Sequence, residues 1–188
     1  MKNHKISREF YARNTVDVAK DLLGKILVRK TGQRLTSGII TETEAYRHED
    51  DPASHAYRSM TKRNEAMFGQ VGCAYVYFTY GMYHCVNVVA RSKQYKAGAV
   101  LIRALQPAEG IEIMMKNRDT RDISNLTNGP GKLTMALDIT KNQYGEDLVN
   151  SSELFITSGL ECNQRIITGP RIGIKKGVDK LWNFRIEI

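Results

Sequence analysis

The sequence lacks the features that mark several classes of protein. Its three cysteines, Cys73, Cys85 and Cys162, are few and unclustered, which fits neither a disulfide framework nor a zinc-finger spacing. No apolar run reaches membrane-spanning length, and the N-terminus has no apolar signal core. We therefore expect an intracellular protein with no membrane partner, lying in the cytoplasm or nucleoid of a bacterium or in the nucleus of a eukaryote.

Lysine is absent between Lys30 and Lys62. A Schiff-base nucleophile next to Glu44 in sequence is therefore excluded, although the fold can still bring a lysine in from elsewhere.

A complete phosphate-binding loop is also absent. The segment NGPGKLT, residues 128–134, has Leu126 where such a loop needs its first glycine, and Leu133 follows Lys132. We expect instead a turn and an exposed helix N-terminus, which can hold one phosphate.

Positive charge is in excess. The net charge is +8, but residues 36–70 carry six acidic side chains against four basic ones. A basic chain favours a polyanionic partner, because each Lys or Arg that meets a phosphate releases a counterion. The composition thus indicates a nucleic-acid partner and a locally acidic strip.

Short β-rich runs outnumber helical patterns. Strands are predicted at 25–30, 37–45, 73–79, 83–90, 99–104 and 181–188, and helices at 15–23, 64–68, from Pro107 and at 129–137. We expect an α+β fold in a single domain, residues 1–188, with a curved, mostly antiparallel or mixed β-sheet, flanking helices and a protruding β-hairpin.

The stretch GIITETEAYRHEDDPASH, residues 38–55, concentrates carboxylates where a strand ends. Strand alternation places Glu42, Glu44 and Tyr46 on one face. The other face takes Ile39, Thr41, Thr43 and Ala45. A rigidly held carboxylate beside aromatic surface suits a general base, and a solvated strand edge is the alternative.

A metal site is a second interpretation of this stretch. His48, Asp50, Asp51 and His55 are ligand types for zinc or iron, but their spacing matches no metal signature and no cysteine lies nearby. We expect no metal and no other cofactor.

Tyrosines cluster as well, six of the nine lying between Tyr46 and Tyr83. Flat amphipathic rings near a sheet rim suit stacking on bases, although tyrosine also favours strands in general. Tyr77 and Tyr80 differ in strand parity, so one can line a pocket while the other projects from the turn beside Gly81.

An ordered set of motifs spans nearly the whole chain. It comprises ETEAY (42–46), His55, TKRNEAMF (61–68), YVYFTYGMYHCVN (75–87), LIRALQP (101–107), NGPGKL (128–133) and RIGI (171–174). With these motifs the sequence resembles the alkyladenine, or 3-methyladenine and methylpurine, DNA glycosylase family.

The resemblance implies a monofunctional enzyme of base excision repair, without lyase activity, acting as a monomer on double-stranded DNA that contains damaged purines. Glu44 matches the general base, Arg103 the arginine that helps to hold the attacking water, and Ile172 a backbone carbonyl near that water.

The same resemblance assigns the base pocket and the DNA contacts. Tyr46, His55 and Tyr77 match the walls around the flipped base, and Asn87 matches the residue that excludes normal guanine. The wedge that fills the vacated stack matches Tyr80, continued by Met82 and Tyr83. Charge and placement make four side chains candidates for phosphate contacts: Arg58, Lys62, Arg63 and Lys132.

Two functions from other classes stay open at this point. One is a non-catalytic nucleic-acid-binding module that uses the tyrosines as a stacking platform. The other is a metal-dependent hydrolase built on the acidic loop.

Overall fold

A computed structural model describes residues 4–79, 81–159 and 164–188. Its strands are β1 (Ile26–Thr31), β2 (Arg34–Arg47), β3 (Ala74–Thr79), β4 (Tyr83–Val89), β5 (Gly98–Glu109), β6 (Leu154–Thr157), β7 (Ile167–Gly169) and β8 (Asn183–Arg185). Its helices are α1 (Arg8–Tyr11), α2 (Thr15–Asp21), α3 (Ile111–Arg118) and α4 (Pro130–Ala136). Within these ranges no helix is both long and apolar enough to cross a membrane.

The strands form one antiparallel sheet in the order β3-β4-β5-β2-β1-β6, and β8 pairs with both β2 and β7. Strand β2 is the centre of the sheet. One of its edges pairs with β5 over most of its length, while the other pairs first with β1 and then, from Glu42 to Glu44, with β8. The α+β fold with an antiparallel sheet is therefore confirmed.

The two faces of the sheet have different partners. Helices α2, α3 and α4 pack on one face, where Ala45, Val86, Val88, Val100 and Ile102 join their apolar residues in the main core. The intervening residues of the same strands point away from this core, as period-two alternation requires. The predicted face of Glu42, Glu44 and Tyr46 is thus confirmed.

One detail of that alternation was wrong. Ile40, and not Ile39, is fully buried in the core beside Ala45. The pairing of β2 with β5 shifts register between Ile40 and Glu42, and a bulge of this kind reverses the parity of the residues before it. Sequence alternation alone gives no sign of the bulge.

The helix predicted to begin at Pro107 was also placed wrongly. Pro107 lies in β5 opposite Gly38, where the register is irregular and a missing N–H is tolerated. Helix α3 starts only after Gly110, whose φ of 74° suits glycine.

Candidate active site

A cavity of about 660 Å³ opens on the face of the sheet that the helices leave free. Strands β2 to β5 supply its sheet-side lining, which consists of Glu44, Tyr46, Tyr75, Tyr77, Thr79, Tyr83, Cys85, Asn87, Leu101 and Arg103. Segments 52–55, 130–131 and 172–176 close its sides. The fold therefore gathers most of the residues singled out in the sequence around one cavity.

Glu44 is the fully buried carboxylate of this cavity. Its Oε1 accepts hydrogen bonds from the backbone N–H of Ile172 at 2.8 Å and from Nδ2 of Asn183 at 3.1 Å. Its Oε2 accepts a hydrogen bond from the hydroxyl of Tyr46 at 2.7 Å. A carboxylate removed from water needs such donors, and donors fixed by the fold also fix its orientation.

A second carboxylate shares the partners of the first. Nε of Arg103 lies 3.2 Å from Oε1 of Glu42 and 3.5 Å from Oε1 of Glu44. Nδ2 of Asn183 lies 2.6 Å from Oε1 of Glu42. Arg103 and Asn183 therefore bridge the two acids, which lie two residues apart on the same face of β2.

Asn183 was missed by sequence reasoning. It reaches Glu44 because β8 pairs with β2 opposite it, across 139 positions of the chain. The sequence carries no signal for this contact, since the final strand was predicted without a pairing partner.

His55 and the tyrosines form aromatic walls. The ring of His55 lies 4.7 Å from that of Tyr77, edge to face, and Tyr77 lies 5.3 Å from Tyr75. Tyr75 was not singled out for the pocket. Its hydroxyl lies 2.8 Å from Nδ1 of His55, and its backbone oxygen accepts a hydrogen bond from Nδ2 of Asn87 at 2.9 Å. Tyr75 therefore connects the wall at His55 to Asn87.

Burial decides the protonation states of the aromatic side chains that form the walls. Burial, followed by the charge of Glu44, raises the pKa of Tyr46, so its hydroxyl keeps the proton that it donates to Glu44. Burial likewise raises the pKa of Tyr77. Partial desolvation, and then the charge of Arg63, lowers the pKa of His55 below its ordinary 6.5. At neutral pH the walls are therefore uncharged.

The hairpin of β3 and β4 was expected to carry the wedge. Tyr80, to which the wedge was assigned, lies outside the described residues. Met82 in the turn is 64% exposed, and Phe78, which was not singled out, is 51% exposed. Tyr83 instead lines the cavity and packs closely on Gly131 of α4. The described part of the hairpin thus presents two exposed apolar side chains.

The basic candidates occupy different environments. Arg58 and Lys62 are exposed, while the guanidinium of Arg63 lies 5.6 Å over the ring of Tyr77. Lys132 already donates to the side-chain oxygens of Asn125 and Asn128, the latter at 2.8 Å.

Two further cations were missed. Lys175 and Lys176 are exposed and line the cavity. They are lysines that the fold, and not the local sequence, brings to the cavity that Glu44 also lines.

The residues of the metal alternative diverge in the structure. Nδ1 of His48 meets the carbonyl of Ala56, Asp50 pairs with Arg47, Asp51 pairs with Arg171, and His55 meets Tyr75. In the part of the chain that the structure describes, no group of three or more His, Cys, Asp or Glu side chains is placed to hold a metal ion. The acidic loop is organised by ion pairs and backbone contacts.

The chain is similar to proteins of one family over nearly its whole length. A family model described as methylpurine-DNA glycosylase matches residues 9–188. A protein of Carboxydothermus hydrogenoformans named "Putative 3-methyladenine DNA glycosylase" is 48% identical, covering 97% of this chain and 95% of its own. Proteins of the same name from Prosthecochloris aestuarii and Clostridium acetobutylicum are 47% and 45% identical, covering 95% and 97% of this chain and 86% and 94% of their own.

Proposed function

We propose a substrate class and a mechanism for this chain, which belongs to the methylpurine-DNA glycosylase family. Membership makes it a DNA N-glycosylase of base excision repair with DNA as its substrate partner, which rules out the non-catalytic binding module. The proposed substrates are alkylated or deaminated purines in duplex DNA: 3-methyladenine, 7-methylguanine, hypoxanthine and ethenoadenine. The proposed enzyme acts as a monomer, without a metal or other cofactor.

The observation that carries the mechanism is the position of Glu44. Its side chain is fully buried, yet it lines a cavity with aromatic walls and is oriented by donors from Tyr46, Ile172 and Asn183. A carboxylate held in this way can take a proton from water in a site sheltered from bulk solvent.

The proposed reaction is hydrolysis in a single step. As the bond between C1′ and the purine nitrogen breaks, the base takes the bonding electron pair, so a cationic alkylated purine leaves as the neutral base, whereas a neutral lesion takes a proton from solvent water as it leaves. The sugar gains oxocarbenium character. Water adds its oxygen to C1′ and passes a proton to Glu44, whose negative charge also stabilises the sugar cation. Arg103, held beside both acids, is proposed to orient the water together with the backbone carbonyl of Ile172.

Selectivity is proposed to come from the walls. Tyr46, His55 and Tyr77 would stack on the flipped base, and a cationic alkylated purine gains most because aromatic faces are electron-rich. An uncharged His55 adds no positive charge beside such a base. Asn87, only 3% exposed and held by the backbone of Tyr75, is proposed to exclude the exocyclic amino group of guanine.

Base flipping is proposed to use the hairpin. Tyr80 would fill the vacated stack, with Met82 beside it, so Tyr80→Ala should weaken binding to a lesion duplex about tenfold and to single-stranded DNA much less. Ile123→Ala is the control, since Ile123 is 50% exposed and outside the cavity. An equal loss on duplex and single strand would contradict the wedge.

The deciding experiment is release of the base from duplexes that each carry one defined lesion. The wild type should release damaged purines, and Glu44→Gln should slow release by about 10²-fold or more while retaining lesion binding. Glu49→Gln is the matched control, because Glu49 belongs to the same acidic stretch but its side chain is 58% exposed. Equal release by wild type and Glu44→Gln would overturn the mechanism.

Two further readings complete this experiment. Release should persist after exhaustive chelation, because Glu44 and not a metal activates the water; loss on chelation would revive the metal interpretation. Borohydride should trap no covalent adduct with DNA, because we propose water and not Lys175 or Lys176 as the nucleophile.

A further inference from the structure

Asp51 and Arg171 form an ion pair whose two side chains are fully buried, 120 positions apart in the chain. Nη1 and Nη2 of Arg171 each lie 2.6 Å from one carboxylate oxygen of Asp51, in a two-pronged arrangement. Burying two charges costs desolvation energy, so such a pair is weak evidence for stability and calls for another role.

The pair ties together three backbone segments. Nη1 of Arg171 also donates to the carbonyl of Ala45 at 2.9 Å, and Asp51 accepts the N–H groups of Arg47 at 3.1 Å and Ala53 at 3.2 Å. These contacts join the end of β2, the loop that leads to His55, and the segment that begins at Arg171. Each of the three contributes residues to the cavity, as Tyr46, His55 and Ile172 show.

Arg171 also supports an aromatic wall from behind. Its guanidinium carbon lies 4.6 Å from the ring centre of Tyr46 and 5.3 Å from that of Trp182. Arg171 does not line the cavity, whereas Tyr46 does. The guanidinium therefore covers the face of Tyr46 that is turned away from the cavity.

The residue after Arg171 touches the catalytic carboxylate. The N–H of Ile172 donates to Oε1 of Glu44, while the side chain of Ile172 is 55% exposed and offers little anchorage of its own. The anchored neighbour is Arg171. Movement of Arg171 would therefore carry this N–H away from Glu44.

We propose that the Asp51–Arg171 pair is a positioning device that holds the N–H of Ile172 on Glu44 and the ring of Tyr46 in the cavity wall. The inference rests on the proposed function, because it assigns the pair to the orientation of that catalytic carboxylate. It makes neither residue catalytic, since neither lines the space where the base would lie.

The test removes both charges together, since an apolar pair of similar size often preserves folding. In the double variant Asp51→Leu with Arg171→Met, base release at saturating enzyme should fall by about 10²-fold while the protein stays folded, with a melting temperature above that of the assay. The fluorescence of Trp182, the single tryptophan, should change because one of its three cationic neighbours, Arg47, Lys180 and Arg171, is gone.

The control is a second arginine–aspartate pair, Arg8 with Asp147, in which Nη2 of Arg8 lies 2.8 and 2.7 Å from the two carboxylate oxygens, outside the cavity. Asp147→Leu with Arg8→Met should leave the rate at saturation within about twofold of wild type. A folded Asp51→Leu/Arg171→Met variant with wild-type release would overturn the positioning role, as would an equal fall in the control.

A second variant covers the case in which the double variant does not fold. Arg171→Lys keeps the cation but cannot hold Asp51 at two points, reach Ala45 and stack on Tyr46 together. It should also slow release at saturation, and a wild-type rate in it would overturn the inference. If the wild type itself releases no base, the proposed function fails independently of the pair.

Discussion

The backbone nitrogen of Ile172 lies 2.8 Å from Oε1 of Glu44, across 128 positions of the chain. This contact brings a loop near the C-terminus onto a strand near the N-terminus, at the residue that we propose as the general base. The donors around Glu44 come from β2, from this loop and from β8, so the site depends on how these segments meet.

Asn183→Ala should slow base release by roughly 10- to 100-fold. Loss of a hydrogen bond to a charged group costs about 1.5–3 kcal/mol, and here it also removes one of the two side chains that bridge Glu42 and Glu44. Single-turnover release at saturating enzyme measures the effect. Asn150→Ala is the control, because Asn150 also donates to a carboxylate, that of Asp147, but away from the cavity.

Gly131→Ala should weaken binding of the lesion duplex. A Cβ at this position would lie 2.9 Å from Cβ and Cγ of Tyr83, which must then move against the cavity that it lines. Overpacking of this kind costs about 1–3 kcal/mol. Titration of a lesion duplex with each variant, Gly131→Ala and Gly129→Ala, followed by fluorescence anisotropy, measures the loss of affinity.

Gly129 is the matched control in the same turn. Its added Cβ would meet nothing nearer than the flexible side chain of Lys132, at 3.7 Å. Equal losses in the two variants would show that the turn tolerates no side chain, and would contradict a specific effect through Tyr83.

His55 should make stability depend on pH below 6.5. Its pKa is lowered in the folded protein, so in the window below the ordinary value of 6.5 the unfolded chain binds more protons. The contribution of His55 to the free energy of unfolding is therefore fully present above pH 6.5 and is lost as the pH drops through this window. Melting temperatures from pH 7.5 to 5 should fall less steeply in His55→Gln, and parallel curves for the two proteins would refute this assignment.

Lys175 and Lys176 should contribute to the salt dependence of DNA binding. Each phosphate contact that is lost lowers the slope of log K against log salt by about one, so the double change to alanine should lower it by about two. The comparison uses undamaged duplex over a range of salt concentrations. Replacement of the exposed Lys93 and Lys96, which lie outside the cavity lining, should leave the slope unchanged.

Local patterns predicted much of the fold. Helix α2 lies within the helix predicted at 15–23, and the hairpin of β3 and β4 lies where its β-rich runs were found. The additional strands β6 and β7 were missed because they are only four and three residues long. Short strands owe their existence to their pairing partners and carry little periodicity of their own.

By itself the sequence predicted that Glu42, Glu44 and Tyr46 share a face of the sheet, because alternation in a regular strand depends only on the local backbone. It did not predict the bulge that turns Ile40 into the core. It placed Glu44 and Tyr46 together before any contact was known. Only the tertiary structure decided which groups meet Glu44: the N–H of Ile172 and the amide of Asn183, with Asp51 and Arg171 behind them. Ile172 and Asn183 lie 128 and 139 positions from Glu44, and Arg171 lies 120 positions from Asp51. Contacts at that separation depend on the strand pairings and loop paths of the whole fold.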